Sequence, residues 1–259
     1  MNNLYDMSPI LMALIATIFT WFITLLGSAI VYFFKKVDKT ILDIMLSISA
    51  GVMIAASFFS LIAPSIEMSE SLGMNKVLFP SIGFICGGLL IIIIDKLISK
   101  RHPSSKRKRC FMLVSSITLH NIPEGLAVGV AFGSVLYNLD GATIMSAIGL
   151  ALGIGIQNFP EGVAVSMPLR REGMSPRKAF FYGQLSAIVE PISGVIGAIL
   201  VLKVRLILPF LLAFAAGAMI YVVVRELIPE CQTNKNKGLI SMTCLIGFAI
   251  MMVLDVLLG

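Results

Sequence analysis

CFMLVSSITLHNIPEGLAVGVAFGSVL, residues 110–136, is an apolar run interrupted near its middle by His120, Asn121 and Glu124. At about 1.5 Å of rise per residue a helix of this length crosses the roughly 30 Å hydrocarbon core of a bilayer. A carboxylate in such a span costs about 2.5–3.5 kcal/mol on insertion scales, so its presence points to a task. A second run, GIGIQNFPEGVAVSM at 153–167, repeats the pattern. His120-Asn121-Ile122-Pro123-Glu124-Gly125 is matched by Gln157-Asn158-Phe159-Pro160-Glu161-Gly162. In each copy the first residue and the glutamate are four apart, hence neighbours on one helix face, with the asparagine beside them. Each proline removes a backbone hydrogen bond and clashes with the carbonyl four residues back, which predicts kinks that free the Leu119 and Ile156 carbonyls. Irregular backbone of this kind is tolerated at membrane depth where it lines a cavity.

The rest of the chain has the same solvent. Of 259 residues 58% are hydrophobic and 13% charged, against about 25% charged in an average soluble domain, which excludes a water-soluble globule. Apolar stretches of spanning length recur eight times, at about 8–34, 41–64, 77–98, 110–136, 142–169, 179–202, 206–228 and 238–258. The expected fold is an all-α polytopic membrane protein of eight transmembrane helices, with residues 1–259 forming a single integral membrane domain. The leader MNNLYDMSP lacks Lys and Arg, and the apolar run after it exceeds a signal-peptide core of roughly 7–15 residues, so the first span is expected to be retained. Cys86, Cys110, Cys231 and Cys244 form no CxxC pair and read as small packing residues.

Orientation follows from charge. About 15 of the 20 Lys and Arg residues fall in loops 1, 3, 5 and 7, and about 3 on the opposite side, which makes the odd loops cytoplasmic and both termini extracytoplasmic. Lys96 and Arg225 sit near cytoplasmic helix ends, within snorkelling reach of the interface. The run Lys106-Arg107-Lys108-Arg109 reads as a topology determinant, so the net charge of +6 implies no nucleic-acid partner.

Three carboxylates, Glu124, Glu161 and Glu190, lie deep with no Lys or Arg at their depth. Unpaired, they would cost on the order of 8–10 kcal/mol, so a bound cation or shared protons must compensate them. Counting from the cytoplasmic cations, Glu124 lies ~22 Å in, Glu161 ~14 Å, Glu190 ~18 Å and Met53 ~21 Å, so all reach one midplane region. One imidazole, three carboxylates, the amide oxygens of Asn121, Gln157 and Asn158 and the Met53 thioether suit a borderline divalent ion such as Zn(II) or Fe(II). Calcium would want more oxygens and no histidine. Met53 also has an ordinary packing role open to it. An intramembrane metalloprotease fails on spacing, since HExxH needs two histidines and the other one here, His102, is in a loop. A proton- or organic-cation-coupled transporter using the same carboxylates stays open. A receptor is disfavoured, because loops and termini offer no signalling domain.

The double motif, with SAGVMIAASFFSLIAPSIE at 49–67, SAIVEPISG at 186–194 and AAGAMIYVVVRELIPE at 215–230, resembles the ZIP (zinc/iron-regulated transporter-like) family of divalent metal transporters, in its bacterial GufA-like branch. The resemblance covers essentially the whole chain. It implies a 3+2+3 helix arrangement, a homodimer in the cytoplasmic membrane, and import of Zn(II), with Fe(II), Mn(II) and Cd(II) as further candidates, as substrate and not as cofactor. It also implies two metal positions between spans 4 and 5: His120, Glu124, Gln157 and Glu161 at one, and Asn121, Glu124, Asn158, Glu161 and Glu190 at the other, with Met53 on the outer approach. Asn158 stands where some relatives carry Asp, which weakens the second position. His102 is all that remains of a His-rich loop found in many relatives. Spans 1, 4, 5 and 6 would move as an elevator against 2, 3, 7 and 8, with Gly183, Ser186, Ser193, Gly194 and Gly197 allowing close packing of span 6.

Overall fold

We describe residues 7–33, 39–101, 105–137 and 142–258 of a computed structural model; the side chains at 98–101, 105–113, 116 and 258 lie outside that description, as do His102, Cys110 and the charges of the basic run. Every regular element among the described residues is helical: α1 (Pro9–Ala29), α2 (Lys39–Ala56), α3 (Ala63–Ser71), α4 (Leu78–Arg101), α5 (Ser105–Leu136), α6 (Ile144–Arg171), α7 (Pro176–Leu185), α8 (Val189–Ile199), α9 (Val201–Val222), α10 (Ile228–Cys231) and α11 (Lys237–Leu258). Starts are encoded locally. Ser8 and Ser175 accept from the first-turn N–H groups of α1 and α7, each followed by a proline whose missing N–H costs nothing there. Thr143 and Ser146 form a reciprocal capping pair on α6.

Among the described residues seven helical rods are long and apolar enough to cross a membrane: Pro9–Tyr32, Lys39–Ser71, Leu78–Leu97, Ile144–Arg171, Pro176–Ile199, Val201–Cys231 and Lys237–Leu257. They coincide with expected spans 1, 2, 3, 5, 6, 7 and 8. At the position of the expected fourth runs α5, a helix of 32 residues that carries the first motif and continues through Pro123. α6 likewise continues through Pro160.

The helices pack as two groups. In one, α1 lies along α6 and α5 along α8, with α7 against α6 and α1. In the other, α2 lies along α11 and α4 along α9. The groups meet where α5 crosses α9 and α6 crosses α2. Outward faces carry apolar side chains such as Ile85, Leu89, Leu245 and Val253, whereas Thr17, Thr20, Thr24 and Ser28 run buried down the inner face of α1. Apolar outside and small or polar inside is the pattern of helices whose solvent is lipid.

Two features depart from eight uninterrupted spans. π-helical turns, Ser57–Ile62 and Val223–Leu227, join α2 to α3 and α9 to α10, each leading to a proline, Pro64 or Pro229, that cannot donate to the ladder. The sixth span is broken between α7 and α8. Pro191 would clash with the Ala187 carbonyl four residues back, and the chain tightens ahead of it: the N–H groups of Ala187, Ile188 and Glu190 bond three residues back, to Gln184, Leu185 and Ala187. Glu190 N–H therefore no longer serves the Ser186 carbonyl, which is free to accept from elsewhere. Gly183, Ser186, Ser193, Gly194 and Gly197 are all buried along this broken span.

Candidate metal centre

α5 presents His120, Asn121 and Glu124, α6 presents Gln157, Asn158 and Glu161, and the first turn of α8 presents Glu190; all seven are fully buried. The two motif copies are cross-bonded. His120 Nε2 lies 3.2 Å from Glu161 Oε2, and Gln157 Nε2 donates to Glu124 Oε1 at 2.7 Å, so the leading residue of each copy meets the glutamate of the other. Ligand atoms of His120, Glu124 and Glu161 lie within 4.8 Å of one another, near the roughly 4 Å that two ligands at about 2.1 Å from one ion can span.

Amide donors are consumed by the protein, and acceptors are left over. Asn121 Nδ2 donates to the Ser186 carbonyl freed at the break, at 3.1 Å. Asn158 Nδ2 lies 2.9 and 3.0 Å from the two Glu190 oxygens and 3.1 Å from the Thr20 carbonyl. What stays unbonded and buried is His120 Nδ1, Asn121 Oδ1, Glu124 Oε2, Gln157 Oε1, Asn158 Oδ1 and Glu161 Oε1. A buried polar atom without a partner costs about 1–3 kcal/mol, and six in one place exceed what packing leaves to chance. Lys76 pairs with Glu70, and Arg171 with Asp43 and Glu230, away from these seven residues. The centre is thus rich in carboxylates and lone pairs, and it matches the chemistry of a divalent cation with nitrogen and oxygen ligands.

Thr20 escaped the sequence reading. Its hydroxyl donates to Glu190 Oε2 while its carbonyl takes Asn158, so α1 holds both residues. The signal was present as the Thr17, Thr20, Thr24, Ser28 ladder on one face of an otherwise apolar span. Met53 is buried in the apolar cluster that includes Ile117, Val163 and Ala164, and no hydrogen bond among the described residues joins its sulfur to the seven. A cavity of about 480 Å³ approaches from the side of the even loops, lined by Ser60, Glu67, Ala127, Ser134, Ser146 and Arg205 among others. Ala127 lies one helical turn beyond Glu124.

The model of the family described as ZIP Zinc transporter matches residues 8–109 and 99–255. The chain belongs to the ZIP family. Its similarity to curated relatives runs nearly end to end: it is 39% identical to "Zinc transporter ZIP11" of Xenopus tropicalis, covering 97% of this chain and 98% of that one. It is 34% identical to "Zinc transporter ZIPB" of Bordetella bronchiseptica over 91% of this chain and 78% of the relative, and 32% identical to "Zinc transporter GufA" of Myxococcus xanthus over 78% and 81%. This ZIP protein is therefore a membrane transporter of the zinc-transporter family and not an enzyme.

Proposed function

We propose that the protein imports Zn(II), and with it other borderline divalent ions such as Fe(II), Mn(II) and Cd(II), across the cytoplasmic membrane through the centre between α5 and α6. The observation that carries this reading is the set of six unbonded lone-pair atoms gathered on two repeated motifs in a buried, anionic site. α5 is the fourth of eight spans, in the 3+2+3 arrangement of a single membrane domain, with the odd loops cytoplasmic and both termini outside. His120, Glu124, Gln157 and Glu161 hold one ion. Asn121, Asn158 and Glu190 with the two bridging glutamates form a second, weaker position, because Asn158 and Glu190 are engaged with each other and with Thr20. Met53 lies on the outer approach. The working unit is a homodimer whose α1 and α5–α8 group moves against the remaining helices. The alternative use of the same carboxylates, proton- or organic-cation-coupled transport, needs no Zn(II).

Metal flux into proteoliposomes separates these readings. Wild type is expected to admit Zn(II) to a lumenal indicator while excluding Mg(II), which keeps its water and wants octahedral oxygen. Glu124→Ala is expected to abolish the signal. No Zn(II) flux from folded, correctly inserted wild type would sink the proposal in favour of the proton-coupled reading.

A further inference from the structure

The two ends of the seam between the helix groups are built differently. On the even-loop side the 480 Å³ cavity stands between α5–α6 and α3–α9. On the odd-loop side a polar contact crosses the seam. Arg171, the last residue of α6, directs Nη1 to Glu230 Oε1 on α10 and lies 3.7 Å from Asp43 Oδ1 at the start of α2. Asp43 is fully buried, its Oδ2 accepts from Asn234 Nδ2 at 2.9 Å, and its Oδ1 has no hydrogen bond of its own. Lys39 Nζ donates to the Thr233 carbonyl at 3.3 Å, and Ser47 Oγ to the Ile240 carbonyl, which fastens α2 to the turn after α10 and to α11. Asp43, bonded to Asn234, and Glu230 thus form the acidic socket of Arg171 within one helix group. Arg171 enters it from the other group, on the same helix as Gln157, Asn158 and Glu161.

We propose that Arg171 is a positioning residue for transport: it pins α6 into the Asp43–Glu230 socket, closing the odd-loop side while the even-loop cavity is open, and must withdraw for the metal to leave on that side. The inference rests on the transport reading above. Three observations support a contact built to open and close. The pin is one side chain at a helix end, and it is about one-third exposed, whereas the Asp43 beneath it is sealed from solvent. Its Nη1 faces two carboxylates, one on α2 and one on α10, so it is divided between two partners. It also spans the seam, whereas the Asn234–Asp43, Lys39–Thr233 and Ser47–Ile240 contacts lie within one group. The static rival is that Arg171 only balances the α6 dipole as a cation in the last turn.

Hydrogen–deuterium exchange on the full chain in nanodiscs distinguishes them. In Arg171→Gln, amide protection is expected to fall about tenfold in residues 163–171 and 39–47 and to rise in 127–134 and 64–71 around the cavity. Arg171→Lys is expected to lie between Gln and wild type. Exchanging charges in Arg171→Glu with Glu230→Arg is expected to restore the wild-type pattern that either single change loses. Unchanged exchange at both ends, or loss of protection at both, would overturn the latch, since only a two-position element moves them in opposite directions. Zn(II) flux measured on the same wild-type preparation tests the transport reading separately: absent flux sinks that reading while the exchange pattern still reports the latch.

Discussion

The two motif copies share a backbone plan and diverge in chemistry. The Gly125 and Gly162 positions show the shared plan. A Cβ on Gly125 would lie 2.6 Å from the Glu190 carbonyl oxygen on α8, and one on Gly162 would lie 2.7 Å from the Ser28 nitrogen at the end of α1. Each copy therefore uses its glycine to seat a neighbouring helix against its glutamate turn. Each also spends its asparagine amide on that surrounding: Asn121 on Ser186, Asn158 on Thr20 and Glu190. The leading residues differ. His120 brings an imidazole and Gln157 an amide, so one copy supplies the better transition-metal ligand and the other a weaker oxygen. Packing is alike in the two copies, while the leading side chains are not.

Breaking the shared element should cost most. Glu124→Ala and Glu161→Ala each remove a carboxylate that we propose bridges the two metal positions, and are expected to lower Zn(II) uptake by at least about 100-fold, more than the 10–100-fold typical of residues that only support ligands. Glu190→Ala should spare binding at the first position. Calorimetric titration checks the pair against Glu190, and equal loss in all three would count against two positions. Next come the glycines. Gly125→Val and Gly162→Val both force helix backbones apart, at about 1–3 kcal/mol or more for overpacking, and should lower thermal stability by similar amounts. If only one does, the two copies do not share a packing role.

Sharpening the asymmetry gives smaller effects. Gln157→His makes the second copy imitate the first and should tighten Zn(II) about tenfold, since imidazole is a better zinc ligand than an amide oxygen. Tighter binding with slower release would appear as lower Kd and lower maximal flux. The smallest change is in pH dependence. Metal ligands bind deprotonated, so uptake should fall as pH drops from 7 to 5. In His120→Gln, where both copies lead with glutamine, Zn(II) uptake should lie below wild type at every pH, which indicator flux at several pH values will show. Uptake that rises on acidification would end the competition model.

Much of this was legible without coordinates. Long apolar helices stand where spans 1, 2, 3, 5, 6, 7 and 8 were expected, the second running on to Ser71 and the seventh starting at Val201, because a run of apolar residues reports its own solvent. His120, Glu124 and Glu161 were legible as partners because each is expensive where it stands and the motif repeats. Thr20 was not, since a threonine in an apolar helix is cheap and its carbonyl, which does half the work, is common to every residue. The break at Ser186–Ile188 was missed because Pro191 sits three residues past it, and the tightened turn depends on which bonds the neighbouring helices reward. Arg171 and Asp43 carried no signal in the sequence, since they are far apart in the chain and neither lies in the repeated motif.

The sequence by itself determined which segments are long and apolar enough to enter a membrane and which side chains are out of place in them, because insertion energies add residue by residue along a helix. Only the tertiary structure decided which atoms meet. Asn121 finds the Ser186 carbonyl, Asn158 finds Glu190, and Arg171 finds Asp43 through helix crossings and one local break, and such contacts depend on ångström-scale placement of elements far apart in the chain.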